Sequence, residues 1–259
     1  MKAATEAAVQ TSMSVIRYGR IGFILASAFL ITCLRAEDPP ANLMKRIIER
    51  ETETERVQSN YTYRQTVTVE EFDPRGIRSG EYKEVRDVIF SPAHERTEQV
   101  LGAPKNSLKR LQLTEEDFRD LREVQPFLLT KDQAFIYETR FRGEETIEGK
   151  ECWLVQIKPR QILQGQRLFA GMLWVDKGDF SIVRSEGEAV PQIRTMHSEN
   201  LFPRFTTVRE KVEGGFWFPT VTSGDDTLQF RTGPQRMKLT IRYSEYRKFG
   251  ADSKILFGK

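Results

Sequence analysis

The 259-residue chain carries 40 lysines and arginines against 37 acids, a formal net charge of +3. The excess sits in the first 36 residues, where Lys2, Arg17, Arg20 and Arg35 outnumber the single acid Glu6, so beyond them 36 bases balance 36 acids. A neutral remainder has no bulk electrostatic footprint for nucleic acid, and no nucleic-acid partner is expected.

Residues 1–36 read as an export signal. Arg17 and Arg20 precede an uncharged, mostly apolar stretch, residues 21–34. That run is short of the roughly 20 residues a bilayer span needs and fits a secretory core instead. Cleavage after Ala36 leaves residues 37–259 as one domain in the periplasm. A start at Met13 and a retained membrane anchor stay open. So does a lipid anchor to the outer membrane through Cys33, because Leu30-Ile-Thr-Cys33 approaches a lipobox with Thr32 where a smaller residue is usual. After cleavage Cys152 is the one remaining thiol, which rules out an intramolecular disulfide and predicts a small buried apolar side chain.

A helix is predicted over residues 42–50, with Leu43 and Ile47 along one side and Met44 and Ile48 beside them. Its charged continuation, residues 51–56, is expected to fray or extend into water. The first strand spans residues 61–69, with Tyr61, Tyr63, Val67 and Val69 on one face. Strands over 82–90 and 96–100 follow. Residues 104–113 show no period and read as a mobile connection. Thr114-Glu-Glu-Asp117 is a capping-box-like start with Asp in the place of Glu or Gln, and Phe118, Leu121 and Val124 continue at helical spacing until Pro126.

From Phe135 to Phe249 the chain reads as nearly continuous strand, broken by tight polar turns at Glu148-Gly-Lys150, Asp176-Lys-Gly-Asp179 and Glu213-Gly-Gly215. Turns this short join neighbours as hairpins, which predicts an antiparallel meander. The segments at Trp153 and Met172 are apolar on both faces, as central strands are. The fold class is mainly β, α+β: one curved antiparallel sheet covered by helices.

Catalytic chemistry finds no footing in the sequence. His94 and His197 lack any metal-ligand spacing, Cys152 has no histidine near it in sequence, and no glycine-rich phosphate loop is present. The acids at Glu70/Glu71, Glu115/Glu116/Asp117, Glu144/Glu145 and Asp225/Asp226 read as cross-strand pairs on a solvated face. No enzyme activity, metal or cofactor is expected.

The residues Leu173-Trp-Val-Asp-Lys177, continued through Phe180-Ser-Ile-Val-Arg-Ser-Glu186, resemble a recurrent hairpin of the outer-membrane lipoprotein-sorting superfamily. That group holds the LolA-like carriers, LolB-like acceptors and related periplasmic sensors. Val212-Glu-Gly-Gly-Phe-Trp-Phe-Pro219 resembles a second hairpin of its exported members. The resemblance implies an unclosed β-barrel around a hydrophobic cavity, helices as its lid, and acyl chains as cargo. On that reading the cavity is lined by Tyr61, Tyr63, Val67, Phe135, Tyr137, Phe141, Trp153, Val155, Ile157, Trp174, Phe218, Leu239 and Ile241. The expected function is a non-enzymatic periplasmic carrier of lipid or lipoprotein acyl chains. The alternative is an envelope sensor or assembly factor using the same fold as a protein-interaction module. Expected partners are acyl chains, an envelope protein and, peripherally, a membrane surface.

Overall fold

Alternation at period two fixes which side of each strand is buried, and the first strand shows it plainly. In β1 (Tyr61–Phe72) Tyr61, Tyr63, Gln65, Val67, Val69 and Glu71 are buried while their neighbours are half-exposed. The structure, a computed structural model, describes residues 38–91, 95–124, 126–194, 199–212 and 214–248. The expected signal with Cys33, both histidines, Glu213 and Phe249 lie outside the described residues.

Three helices and thirteen strands are present among the described residues. Helix α1 (Leu43–Gln58) precedes β1, β2 (Arg78–Phe90), β3 (Arg96–Val100) and β4 (Lys105–Asn106). Helices α2 (Glu115–Glu123) and α3 (Lys131–Ala134) follow. Then come β5 (Tyr137–Ile147), β6 (Lys150–Pro159), β7 (Leu168–Asp176), β8 (Ile182–Val190), β9 (Ile193–Arg194), β10 (Glu199–Asn200), β11 (Phe205–Lys211), β12 (Trp217–Phe230) and β13 (Gly233–Lys248). No described helix is long and apolar enough to cross a membrane.

Eleven of these strands form one antiparallel sheet in the order β3-β2-β1-β13-β12-β11-β8-β7-β6-β5, with β4 beside β2. The meander from β5 onward is as predicted except that β9 and β10 leave it as a two-stranded pair of their own, so that β8 pairs with β11. Its last strand then turns back to pair with the first, from Tyr61 opposite Lys248 to Phe72 opposite Arg236. Among the described residues the sheet does not close, since no pairing joins β3 to β5. A covered, unclosed antiparallel sheet is the architecture the sequence implies.

The turns follow local chemistry. Between β5 and β6, Ile147 pairs with Lys150, leaving a two-residue turn in which Glu148 and Gly149 both take positive φ, 50° and 77°. That is the mirror-image turn whose twist suits a hairpin. At the β7–β8 turn the Asp176 carboxylate accepts from the amides of Gly178 and Asp179, at 2.8 and 3.0 Å.

One face of the sheet carries the main core. Leu43 and Ile47 of α1 and Leu121 of α2 bury against Val67, Val155, Leu173, Leu239 and Ile241. The opposite face of the central strands holds a smaller cluster of Cys152, Trp174, Val183 and Trp217. Cys152 is the buried apolar side chain expected, and burial pushes its thiol up to about 11. Gly171 and Gly187 face each other across β7 and β8 beneath the Phe169 ring. A Cβ added at Gly187 would run into the Ala170 carbonyl oxygen and stand 2.7 Å from Phe169 Cε2. Gly187→Ala is therefore expected to cost about 1–3 kcal/mol by overpacking, read as a lowered urea midpoint with an unchanged slope.

Two expectations are corrected. The charged run after residue 50 does not fray, because α1 continues to Gln58 and buries Glu51 and Thr54. Residues 104–113 are not a free connection either. Strand β4 pairs with β2, and the Glu71 carboxylate accepts from the amides of Lys109, Arg110 and Leu111 at 2.8, 2.9 and 3.0 Å.

Candidate functional site

The roof of the sheet is fastened by a buried charge cluster. Glu51 of α1 meets Arg209 of β11 at 2.8 Å, and its second oxygen accepts the Ile182 amide at 3.0 Å. Arg209 also donates to the Phe127 and Ile182 carbonyls. Beside it Arg50 donates from Nε to Ser181 Oγ at 3.0 Å and from Nη2 to the Gly215 carbonyl at 2.8 Å. These contacts hold α1 down along the middle of the sheet, where the space beneath is filled by side chains. Open space lies at the two ends.

The first space, about 700 Å³, lies at the end marked by the β12–β13 turn. Its floor is Val69, Met237 and Leu239, and its walls are Leu111, Leu113, Leu121, Leu201, Phe202 and Phe230. Several of the polar groups around it are engaged, while Arg110 and Gln112 also stand in its lining. Asp117 caps α2 by accepting from the Thr114 amide at 2.7 Å, and Asn200 donates to it at 3.0 Å. Burial pushes the Asp117 carboxyl up, against the opposing effect of the Thr114 and Asn200 donors. Glu199 accepts from the Arg231 amide at 3.0 Å and lies near Arg194. What results is a chamber with leucine and phenylalanine walls and a mixed, partly polar lining, within the roughly 300–1,000 Å³ typical of small-molecule sites.

The second space, about 880 Å³, is a wider cleft at the opposite end. It runs between the last turns of α1, the start of β1, the end of β2 and the α2–α3 segment. Its apolar floor includes Tyr63, Phe127, Tyr137 and Phe169. Phe127 stacks on Phe169 at 4.9 Å and meets Tyr137 edge-on at 5.3 Å. Burial pushes the Tyr137 hydroxyl up to about 12, so it stays neutral. Arg56, Arg96, Arg122, Lys131 and Arg167 stand among its lining residues. Helix α2 parts the two spaces: Asp117 and Leu121 line the chamber and Arg122 the cleft.

The thirteen expected lining residues divide accordingly. Tyr63 and Tyr137 line the cleft and Leu239 the chamber. Phe141 and Val155 border a smaller hollow beside residues 39–45. Val67, Trp153, Ile157 and Ile241 are packed core. Tyr61 and Phe218 meet each other edge-on at 5.1 Å, both buried. Two positions are corrected. Phe135 caps the C-terminus of α3 instead of opening a strand, and its side chain is 74% exposed. Trp174 points to the opposite face, where its indole N–H donates to Glu145 at 2.9 Å.

The paired acids mostly serve as read from the sequence. Asp225 binds Arg236 through both oxygens at 3.0 and 2.9 Å, which holds its carboxyl below the usual range. Glu144 meets Lys177 at 2.9 Å. Glu71 and Asp117 are the exceptions: Glu71 is fully buried and bonded to main chain, and Asp117 is the buried cap of α2. Among the described residues no group of three His, Cys, Asp or Glu side chains is placed to hold a metal ion. The chamber walls and the cleft's arginines were missed by sequence reasoning. Each set gathers residues from four or more separated segments, and no local period marks them.

No family model and no curated protein matches the chain. Among solved structures it is similar to a putative outer membrane lipoprotein-sorting protein domain from Vibrio parahaemolyticus, at 11% identity and a TM-score of 0.41, over 82% of this chain and 96% of that one. It is similar to a DUF1329 family protein from Desulfovibrio piger, at 16% identity and a TM-score of 0.38, over 80% and 93%. A LolA superfamily protein from Nitrosomonas europaea is similar at 14% identity and a TM-score of 0.36, over 83% and 97%. Two of the three bear the name of the group that the two hairpins resemble. Likenesses of this size say nothing of ligand or partner, which must be argued from the chain's own cavities.

Proposed function

We propose that the protein is a non-enzymatic carrier of the cell envelope that holds an acyl chain in the 700 Å³ chamber. The supporting observation is the wall itself: leucines and phenylalanines from residues 111–121, 201–202 and 230 stand over Val69, Met237 and Leu239, with the carboxylates of Asp117 and Glu199 already accepting hydrogen bonds. Such a surface binds by removing methylenes from water, about 0.8 kcal/mol each, and needs few polar contacts. The exported location rests on the apolar run of residues 21–34. A protein-interaction role is the second reading, favoured by exposed Phe135, Ile162 and Leu163. The Arg160 amide donates to the Ile136 carbonyl at 2.8 Å and so draws these residues' segments together.

The test uses a fluorescent, uncharged acyl ester. The wild type is expected to bind it saturably, and Leu113→Trp, which fills the chamber from a half-buried wall position, is expected to weaken binding at least tenfold with the melting temperature nearly unchanged. Absence of saturable binding by the wild type would overturn the carrier reading and leave the exposed Phe135 face as the lead.

A further inference from the structure

The cleft at the opposite end has a charge balance that its own structure does not settle. Its acids are Glu49, Glu53 and Glu55. Glu49 lies 3.9 Å from Lys45, and Glu53 lies 3.4 Å from Arg50. Glu55 is pushed up by burial and by Asp132 beside it, which disfavours its charge. Among the bases, Arg96 is paired with Glu98 at 2.7 Å and Arg167 with Asp120 at 3.2 Å. Arg56, Arg122 and Lys131 have no carboxylate within 4 Å among the described residues.

Below them, the Arg167 side chain is only 2% exposed; its Nε meets Asp120 and its Nη1 donates to Asn200 beside the chamber, which leaves Nη2 without a hydrogen-bond partner. The Nε of Arg96 is likewise buried without one. Arg96 spends Nη1 on the Arg122 carbonyl at 2.9 Å, which draws the two arginines' segments together. Buried donors left unmade are costly, and arginine forks suit carboxylate and phosphate oxygens. Directly under this basic rim lies the aromatic floor of Phe127, Tyr137 and Phe169. A site that is cationic at its mouth and aromatic at its base matches a ligand that is anionic at one end and apolar along its length.

We infer that this cleft is a second binding site, distinct from the chamber, for a single-tailed amphiphile with an anionic head. Arg56 and Arg122 face the head from the rim, and Arg167 supplies a buried donor behind it. The tail lies on Phe127, Tyr137 and Phe169. The shared chemistry is the anionic head, which a carboxylate or a phosphate monoester would each provide. The inference does not depend on the chamber holding an acyl chain.

The experiment measures dissociation constants of hexadecanoate, hexadecyl phosphate and methyl hexadecanoate for the full chain, for Leu113→Trp and for Arg56→Ala/Arg122→Ala. Leu113 is outside the cleft, so Leu113→Trp is expected to keep its affinity for an anion. The double arginine variant is expected to lose about tenfold or more for whichever anion binds, one charge-assisted bond being worth about that factor, with little change for the ester. The tighter of the two anions identifies the head group. The inference is overturned if neither anion binds better than the ester, if the double variant binds anions as the wild type does, or if Leu113→Trp abolishes anion binding. Should Leu113→Trp fail to fold, the wild-type ratio of anion to ester affinity, lost or kept in the double variant, decides the same question. Anion binding without ester binding would sink the chamber reading alone.

Discussion

Arg209→Met is expected to lower the stability of the domain by about 3–5 kcal/mol, because it strands the Glu51 carboxylate away from water. The pair sits under α1 with both side chains essentially inaccessible, at 1% and 0% exposure. Removing the guanidinium leaves Glu51 with the Ile182 amide and removes the donors to the Phe127 and Ile182 carbonyls. Replacing both partners removes the charge problem altogether. Glu51→Leu/Arg209→Met is therefore expected to recover most of the loss, since a buried pair often contributes little over apolar side chains of similar size. Urea unfolding of the two single variants and the double variant measures this directly. If Arg209→Met costs less than about 1 kcal/mol, the cluster is not what fastens the helix. If the double variant is as unstable as the worse single, the carbonyl bonds of Arg209 matter more than its charge.

That pair also explains where the sequence stops being legible. The strands were readable because their signal is local: one buried face imposes a period of two, and the turns carry their own chemistry, as at Glu148-Gly149. The second half of α1 looked like a solvated charge run because the partner of Glu51 lies 158 residues further along. Residues 104–113 looked mobile for the same reason, since Glu71, some 38–40 residues earlier, supplies the acceptor for their amides. The face that Trp174 takes is undecided from sequence, because its segment is apolar on both sides. Phe135 has the alternation of a strand with Tyr137, yet the short α3 turn before it ends on Phe135 and tips the ring into solvent.

The candidate sites were less legible than the fold. An apolar residue on a strand face reads the same whether it meets a helix or an empty chamber. Val67 and Leu239 illustrate this: both are buried on the same face of paired neighbouring strands, and only Leu239 borders the chamber. The difference is made by residues 111–121 and 199–202, whose position depends on anchoring contacts that no local pattern encodes. The shape of the candidate sites is therefore a property of the connections as much as of the sheet.

Glu71→Gln tests that dependence. The carboxylate is fully buried at the end of β1 and accepts from three successive amides and from the Ser79 hydroxyl at 3.3 Å. Burial alone would push this carboxyl up, but the Leu111, Arg110 and Lys109 amides and Ser79 outweigh it, so the group titrates below the ordinary glutamate value of 4.5. An amide side chain turns an –NH₂ toward donors and has no charge to offer them. The expected loss is about 2–4 kcal/mol at neutral pH, given roughly 1.5–3 kcal/mol for hydrogen bonds to a charged group. A carboxyl depressed in the folded state contributes fully above its unfolded value and loses that contribution as the pH falls through the folded one. The stability gap between wild type and Glu71→Gln should therefore be constant at neutral pH and narrow below about pH 4.5. The same substitution frees Arg110 and Leu111, which line the chamber. Binding of the uncharged acyl ester should weaken with it, while anion binding at the Arg122 cleft should not. A gap that stays constant down to pH 3 would show that Glu71 does not act as a charged acceptor. Ester binding unchanged in a destabilised Glu71→Gln protein would show that the 109–111 anchor does not shape the chamber.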